Sequence, residues 1–315
     1  VYDAGWDQLR CARAERMQAA GLFQTDFPIA PRDGSVHPWA DEPHPAWQAH
    51  KMAVYAAMVD RMDQSIGRLV AALKRLGQFD NTLILFLSDN GGCAEFMAED
   101  GWCKFFPDRL PDGRQVVMGN RPDVWPGDAL TFQSYDRPWA NLSNAPFRKY
   151  KHYVHEGGIS TPLIAHWPAG GIASGIIHEI AHVVDLVPTI LEATGCSYLA
   201  ECGGHAIQPA QGQSLLDVLR GLSKPREMPI FFEHEGNSAV RSGPFKLVRL
   251  HDGPWELYDM EVDRAELGDL AGRNKPVARN LERLYQEWAS GQGVMSWNRL
   301  APRLLAAWQL EGVAG

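Results

Sequence analysis

The feature that most constrains this chain is the run Thr82-Leu83-Ile84-Leu85-Phe86-Leu87, which ends abruptly in Ser88-Asp89-Asn90-Gly91-Gly92. A run that is apolar on both faces predicts an interior strand of a sheet covered by helices on each side. Just upstream, Tyr55, Val59, Met62, Ile66, Leu69, Leu73 and Leu76 recur in steps of four and three. That spacing sets them on one face of a long helix, expected to pack against a core, and Gly77 stops it. Helix, short turn at Asp80-Asn81, buried strand: this order is that of an α/β fold.

The remainder follows a similar order. A helix is predicted over about Trp6 to Ala20, then an irregular connection rich in proline. From Gly92 to Pro146 periodicity is lost, and a loop that long inside a compact domain is usually functional. Leu163-Ile164-Ala165-His166 reads as a second buried strand, and His182 to Leu191 as a turn leading into a helix closed by Gly195. Gln213 to Leu219 is a further short helix. Beyond Pro225 come short strands (Pro229 to Glu233, Ser238 to Arg241, Phe245 to Leu250, Trp255 to Asp259) and a helix from about Val277 to Trp288. They predict a small α+β unit with an antiparallel sheet, so the expected division is 1-224 and 225-315.

Composition excludes some functions. Lys+Arg of 30 against Asp+Glu of 38 gives a net charge of −8, which argues against a nucleic-acid partner while leaving room for a local cationic pocket. The five cysteines form no Cys-x-x-Cys pair; Cys196 and Cys202 could pair across a short loop or remain isolated thiols. No apolar run is long enough for a membrane span, and no signal peptide is present. Val1 followed by a helix interior suggests a chain cut from something longer.

Two segments can carry chemistry. Ser88-Asp89-Asn90-Gly91-Gly92 follows the buried strand, and ligands of open α/β sheets gather at the carboxyl ends of strands. The glycines permit the turn that lets Asp89 and Asn90 converge. A carboxylate and an amide oxygen are hard donors suited to Ca2+ or Mg2+; an Asx-type turn that merely ends the strand is the other reading. The second segment, Arg148-Lys149-Tyr150-Lys151-His152-Tyr153-Val154-His155-Glu156-Gly157-Gly158, concentrates cationic and imidazole groups able to hold a tetrahedral oxyanion. Lys149 and His152 are read as part of a solvated basic loop. In Glu233-His234-Glu235-Gly236 a strand-to-turn transition accounts for the grouping, with His234 kept as a pocket-lining candidate. Trp102, Trp125 and Trp139 could stack on a sugar or aryl group or pack the long loop against the core.

Taken in order and spacing, these segments resemble the type I sulfatases, bacterial arylsulfatases in particular, of the alkaline phosphatase superfamily. The likeness runs from Ala53 to Asp63, through Leu83 to Glu95, Asn144 to Arg148, Lys151 to Ile159, Thr161 to Pro168 and His182 to Thr189, to Trp255 to Asp259. It implies an alkaline-phosphatase-like sheet flanked by helices, hydrolysis of sulfate monoesters, and a Ca2+ ion, with Mg2+ less favoured. Asp89 and Asn90 match metal ligands of the family. Lys151, five residues before Glu156, matches its sulfate-contacting lysine, and His155 is a candidate wall of the substrate pocket.

The family's nucleophile is a hydrated formylglycine made from Cys or Ser in Cys/Ser-x-Pro-x-Arg, and no such motif occurs here. Ser223-Lys224-Pro225-Arg226-Glu227 and Ser242-Gly243-Pro244-Phe245-Lys246 are near misses. The nucleophile, the paired aspartates of the first strand and the amino-terminal Lys/His pair are therefore expected upstream of Val1, and the chain alone is expected to be inactive. The substrate class is a small-molecule or glycan sulfate ester, and the resemblance implies a periplasmic or secreted protein. The alternatives are a phosphate or phosphonate ester hydrolase of the same superfamily, or a non-catalytic protein that binds sulfated glycans.

Overall fold

The computed structural model describes residues 1–23, 28–99, 108–222 and 226–311. In chain order the elements are α1 (Gly5–Ala19), α2 (Pro45–Arg75), β1 (Ile84–Leu87), β2 (Val117–Met118), β3 (Thr131–Phe132), α3 (Asp136–Ser143), α4 (Glu156–Ile159) and β4 (Leu163–His166). There follow α5 (Leu186–Thr194), β5 (Glu201–Cys202), β6 (His205–Ala206), α6 (Leu216–Leu219), β7 (Ile230–His234), β8 (Asn237–Ser242), β9 (Phe245–Arg249), β10 (Glu256–Asp259), α7 (Lys275–Gly291) and α8 (Trp297–Glu311). The chain forms two compact units, one of residues Val1–Met62, Asn90–Ser160 and Phe231–Gly315, the other of Asp63–Asp89 and Thr161–Ile230. Among the described residues no helix is long and apolar enough to cross a membrane.

The first unit holds two packed regions. Around Trp6 and Trp139, both almost wholly buried, Val36, Met52, Tyr135, Leu142 and Tyr150 close a core in which α1 packs on α3. Trp139 is thus a packing residue; Trp125 is exposed, and Trp102 lies outside the described residues. The second region is the antiparallel sheet in the order β10-β9-β8-β7. Alternation along the strands divides its side chains between two faces. Val240, Leu247 and Leu257 meet Leu281 and Tyr285 of α7, while Ala239, Val248 and Tyr258 pack with Val154 and Met260.

In the second unit β1 pairs antiparallel with β4, Ile84 opposite His166 and Leu87 opposite Leu163. The strand forms where its apolar run predicts, but β4 is its only partner among the described residues, and all four residues of β1 are only half-buried. Asp185 is fully buried and takes both guanidinium nitrogens of Arg226 at 2.5 and 3.1 Å. It also accepts the N–H of Gln213 at 2.9 Å, which ties the start of α5 to the segment before α6. Cys196 and Cys202 are exposed free thiols.

One expectation fails in α2. The helix forms, yet Tyr55, Met58, Val59, Met62, Leu69 and Leu76 of its apolar face are exposed, Met58 at 65% and Leu76 at 67%. A period of 3.6 tells which residues share a face; it carries no information on what covers that face.

Candidate active site

The site is built where two backbone segments of the first unit lie side by side. The Gly91 N–H donates to the Gly158 carbonyl at 2.9 Å, and the Lys151 N–H to the Gly92 carbonyl at 3.1 Å. Asn144 braces the same place: its Oδ1 accepts the Gly92 N–H at 2.8 Å, and its Nδ2 donates to the Lys149 carbonyl at 3.1 Å. The approach is so close that a Cβ at Gly91 would run into the Gly157 carbonyl oxygen. The glycines are therefore needed for contact between segments, beyond the turn that the sequence suggests.

A buried charge cluster fixes the Glu156-Gly157-Gly158 side of this clamp. Lys246, on the β9 face that packs against Val154, is fully buried and lies 2.9 Å from Glu156 Oε1 and 2.8 Å from Glu266 Oε1. Arg264 adds a second cation 3.3 Å from Glu156 Oε2. Burial opposes ionisation of Glu156, but the charges of Lys246, Arg264 and Arg241 outweigh it and hold the carboxyl below its usual range. Three cations thus gather around two carboxylates, so no carboxylate is buried without a partner charge.

The exposed side is organised by Glu95. Its Oε1 lies 3.2 Å from Lys151 Nζ and 2.6 Å from His152 Nε2, and its Oε2 accepts the Cys93 thiol at 3.0 Å. Burial pulls its pKa up, yet the hydrogen bonds from Cys93, His152 and Lys151 and the Lys151 charge prevail and lower it to about 2. Cys93 is pushed up, by burial first and by Glu95 second, so it stays a thiol.

The structure joins Asn90 to the Lys151 segment. Asn90 Nδ2 donates to the Gly91 carbonyl at 2.7 Å. Asp89, exposed, is the last residue of this segment of the second unit, and Asn90 begins the next segment of the first. Hard oxygen donors on a glycine bend at a strand end fit Ca2+ chemistry. His155 corrects an expectation: it is fully buried, with Nε2 3.5 Å from Glu256 Oε2, and so cannot line a pocket. His234, at the end of β7, is exposed and lies against His152. Lys149 and His152 are not simply solvated, because Asp33 holds the first at 3.4 Å and two glutamates hold the second. Glu95 was missed by sequence reading. A carboxylate beside Cys93 has no spacing that marks it, and only the fold sets it against Lys151.

The sulfatase family model matches residues 12–196, and a model described as N-sulphoglucosamine sulphohydrolase, C-terminal, matches residues 147–289. The chain belongs to the sulfatase family. It is 30% identical to an uncharacterized sulfatase of Schizosaccharomyces pombe over 94% of this chain and 54% of that protein. An arylsulfatase of Klebsiella aerogenes is 31% identical over 68% of this chain and 45% of its own length. The chain thus spans about half the length of the curated relatives it matches. Among solved structures, i-CgsB in complex with k-i-k-neocarrahexaose aligns with a TM-score of 0.52 and 23% identity, covering 90% of this chain and 54% of that one. The fold is accordingly that of the alkaline-phosphatase-like sulfatases, with a small antiparallel sheet toward the carboxyl terminus.

Proposed function

We propose that these residues form part of a Ca2+-dependent sulfuric ester hydrolase of arylsulfatase type. The observation that carries the reading is the backbone clamp, Gly91 to Gly158 and Lys151 to Gly92, which sets the Asn90 bend alongside Lys151 in a chain of the sulfatase family. Asp89 and Asn90 would hold the ion, which when bound supplies a Lewis acid that offsets the charge of the sulfate group. The Lys151 ammonium would contact a sulfate oxygen and stabilise charge gathering on the leaving oxygen, with Glu95 orienting it from 3.2 Å.

The formylglycine nucleophile would come from a Cys/Ser-x-Pro-x-Arg motif outside these 315 residues, within which none occurs. Two observations support a longer protein: the chain matches only about half the length of these relatives, and the apolar face of α2 lies exposed. A sulfated sugar is a suitable substrate class. One relative, 24% identical, is the N-acetylglucosamine-6-O-sulfatase of Bacteroides thetaiotaomicron. A periplasmic or secreted location belongs to the same proposal.

Turnover of matched aryl sulfate and aryl phosphate esters tests it. The full-length protein is expected to cleave the sulfate in preference and to stop when Ca2+ is chelated, while the 315-residue chain alone gives no turnover above a heat-killed control. Preference for the phosphate, or activity of the 315-residue chain alone, would contradict the reading.

A further inference from the structure

Glu95 has a second face. Where His152 Nε2 meets Glu95, the opposite ring nitrogen, Nδ1, lies 3.0 Å from Glu235 Oε2 and 3.2 Å from His234 Nε2. With the Nε2–H donating to the carboxylate, Nδ1 carries a lone pair, as do Glu235 Oε2 and, in the tautomer protonated at Nδ1, His234 Nε2. The ligand atoms of His152, His234 and Glu235 all fall within 4.8 Å of one another. Three Lewis-base atoms this close need a cation between them, either a proton or a metal ion. Tetrahedral ligation at about 2.0–2.2 Å sets neighbouring donors roughly 3.3 Å apart, close to the two spacings from His152 Nδ1.

Three further observations show that the place is built. Buried Asn237 donates through Nδ2 to the carbonyls of both His152 and His234 at 3.0 Å, pinning the two segments together. His152 (φ +79°) and Glu235 (φ +53°) both sit in the left-handed region that non-glycine residues avoid, so backbone energy is spent on aiming them. Glu95 stands behind His152 as the carboxylate that orients a metal-bound imidazole.

We propose that His152 Nδ1, His234 Nε2 and Glu235 bind a zinc-class divalent cation, chemically separate from the hard-oxygen site of Asp89 and Asn90. Two imidazoles and one carboxylate suit Zn2+ or Co2+ rather than Ca2+. The rings of His152 and His234 lie 26° from parallel, so exposed His234 must turn to aim its lone pair. Three protein ligands at a partly exposed place leave a fourth position for water or an anionic group, the arrangement of an open rather than a structural zinc site.

The test is isothermal titration of the full-length protein with Zn2+, and with Co2+ followed by its visible spectrum, in saturating Ca2+ so that the oxygen site is filled. One site with a tetrahedral Co2+ spectrum is expected. His152→Ala, His234→Ala and Glu235→Gln should each weaken it at least about tenfold, and Glu95→Gln about 10–100-fold. His44→Ala, an exposed imidazole elsewhere, should leave it unchanged. Because His234 is exposed, its alanine variant is expected to fold like the parent by circular dichroism. No Zn2+ binding by the parent would mean that a proton fills the place. Zn2+ and Co2+ binding unaltered by His152→Ala and His234→Ala would put the metal elsewhere. Either result overturns the proposal.

Discussion

Glu156 and Glu95 make an instructive pair. Each carboxylate bonds to basic side chains, and each is held ionised against the pull of burial. Glu156 is closed in by Lys246, Arg264 and Glu266, with nothing left to offer a ligand. Glu95 is partly open, and its partners Lys151 and His152 are themselves about one-third exposed. The difference teaches that ion pairing alone does not mark a site. Paired charges buried inside hold the Glu-Gly-Gly turn in place; paired charges at a surface can exchange a protein partner for a substrate or an ion.

The comparison can be broken at either end, and the largest effect belongs to the sealed cluster. Lys246→Ala leaves two buried glutamates without their shared cation and should cost about 3–5 kcal/mol, read as a lower urea midpoint. A loss below about 1 kcal/mol would mean that the cluster is not the anchor described, because that is the range of exposed pairs.

A smaller effect is expected from acid. Glu95 titrates at about 2 in the folded protein against 4.5 ordinarily, so its contribution is present above pH 4.5 and is lost as pH falls toward 2. Denaturation across that window should show Glu95→Gln losing less stability than the parent. Parallel curves for the two proteins would remove Glu95 from the account. Glu256, also held near 2, opposed by burial but kept there by His155, Tyr258 and Arg148, should keep its share of the pH dependence in both.

Much of this arrangement was legible in the sequence. α1, α2, β1, β4 and the four strands β7 to β10 form near their predicted places, because long periodic or continuous apolar runs report local structure directly. The helix α3 was not legible. It is eight residues long and carries Pro138 in its first turn, so it is too short for a repeating apolar period to mark it inside the long loop. The parallel pair β2–β3, two residues per strand, is likewise too short to signal itself. Within the site, Asn90 stood out in the sequence only as part of a strand-end turn, and Lys151 only through the resemblance of its segment to the sulfatases. His155 was misplaced because a histidine in this basic segment looks the same in sequence whether it faces solvent or Glu256. The Glu95 and Glu235 partners of His152 lie 57 and 83 residues away, contacts that only the fold creates.

The central claim is that Lys151 serves the reaction while the Glu156 cluster serves the scaffold. Aryl sulfate turnover by full-length Lys151→Ala, with its urea midpoint measured on the same preparation, tests this most directly. The account predicts a fall in kcat of about 10²–10³-fold, with stability changed by no more than about 1 kcal/mol. A variant that keeps parental kcat, or one that loses activity only in proportion to lost stability, would contradict it.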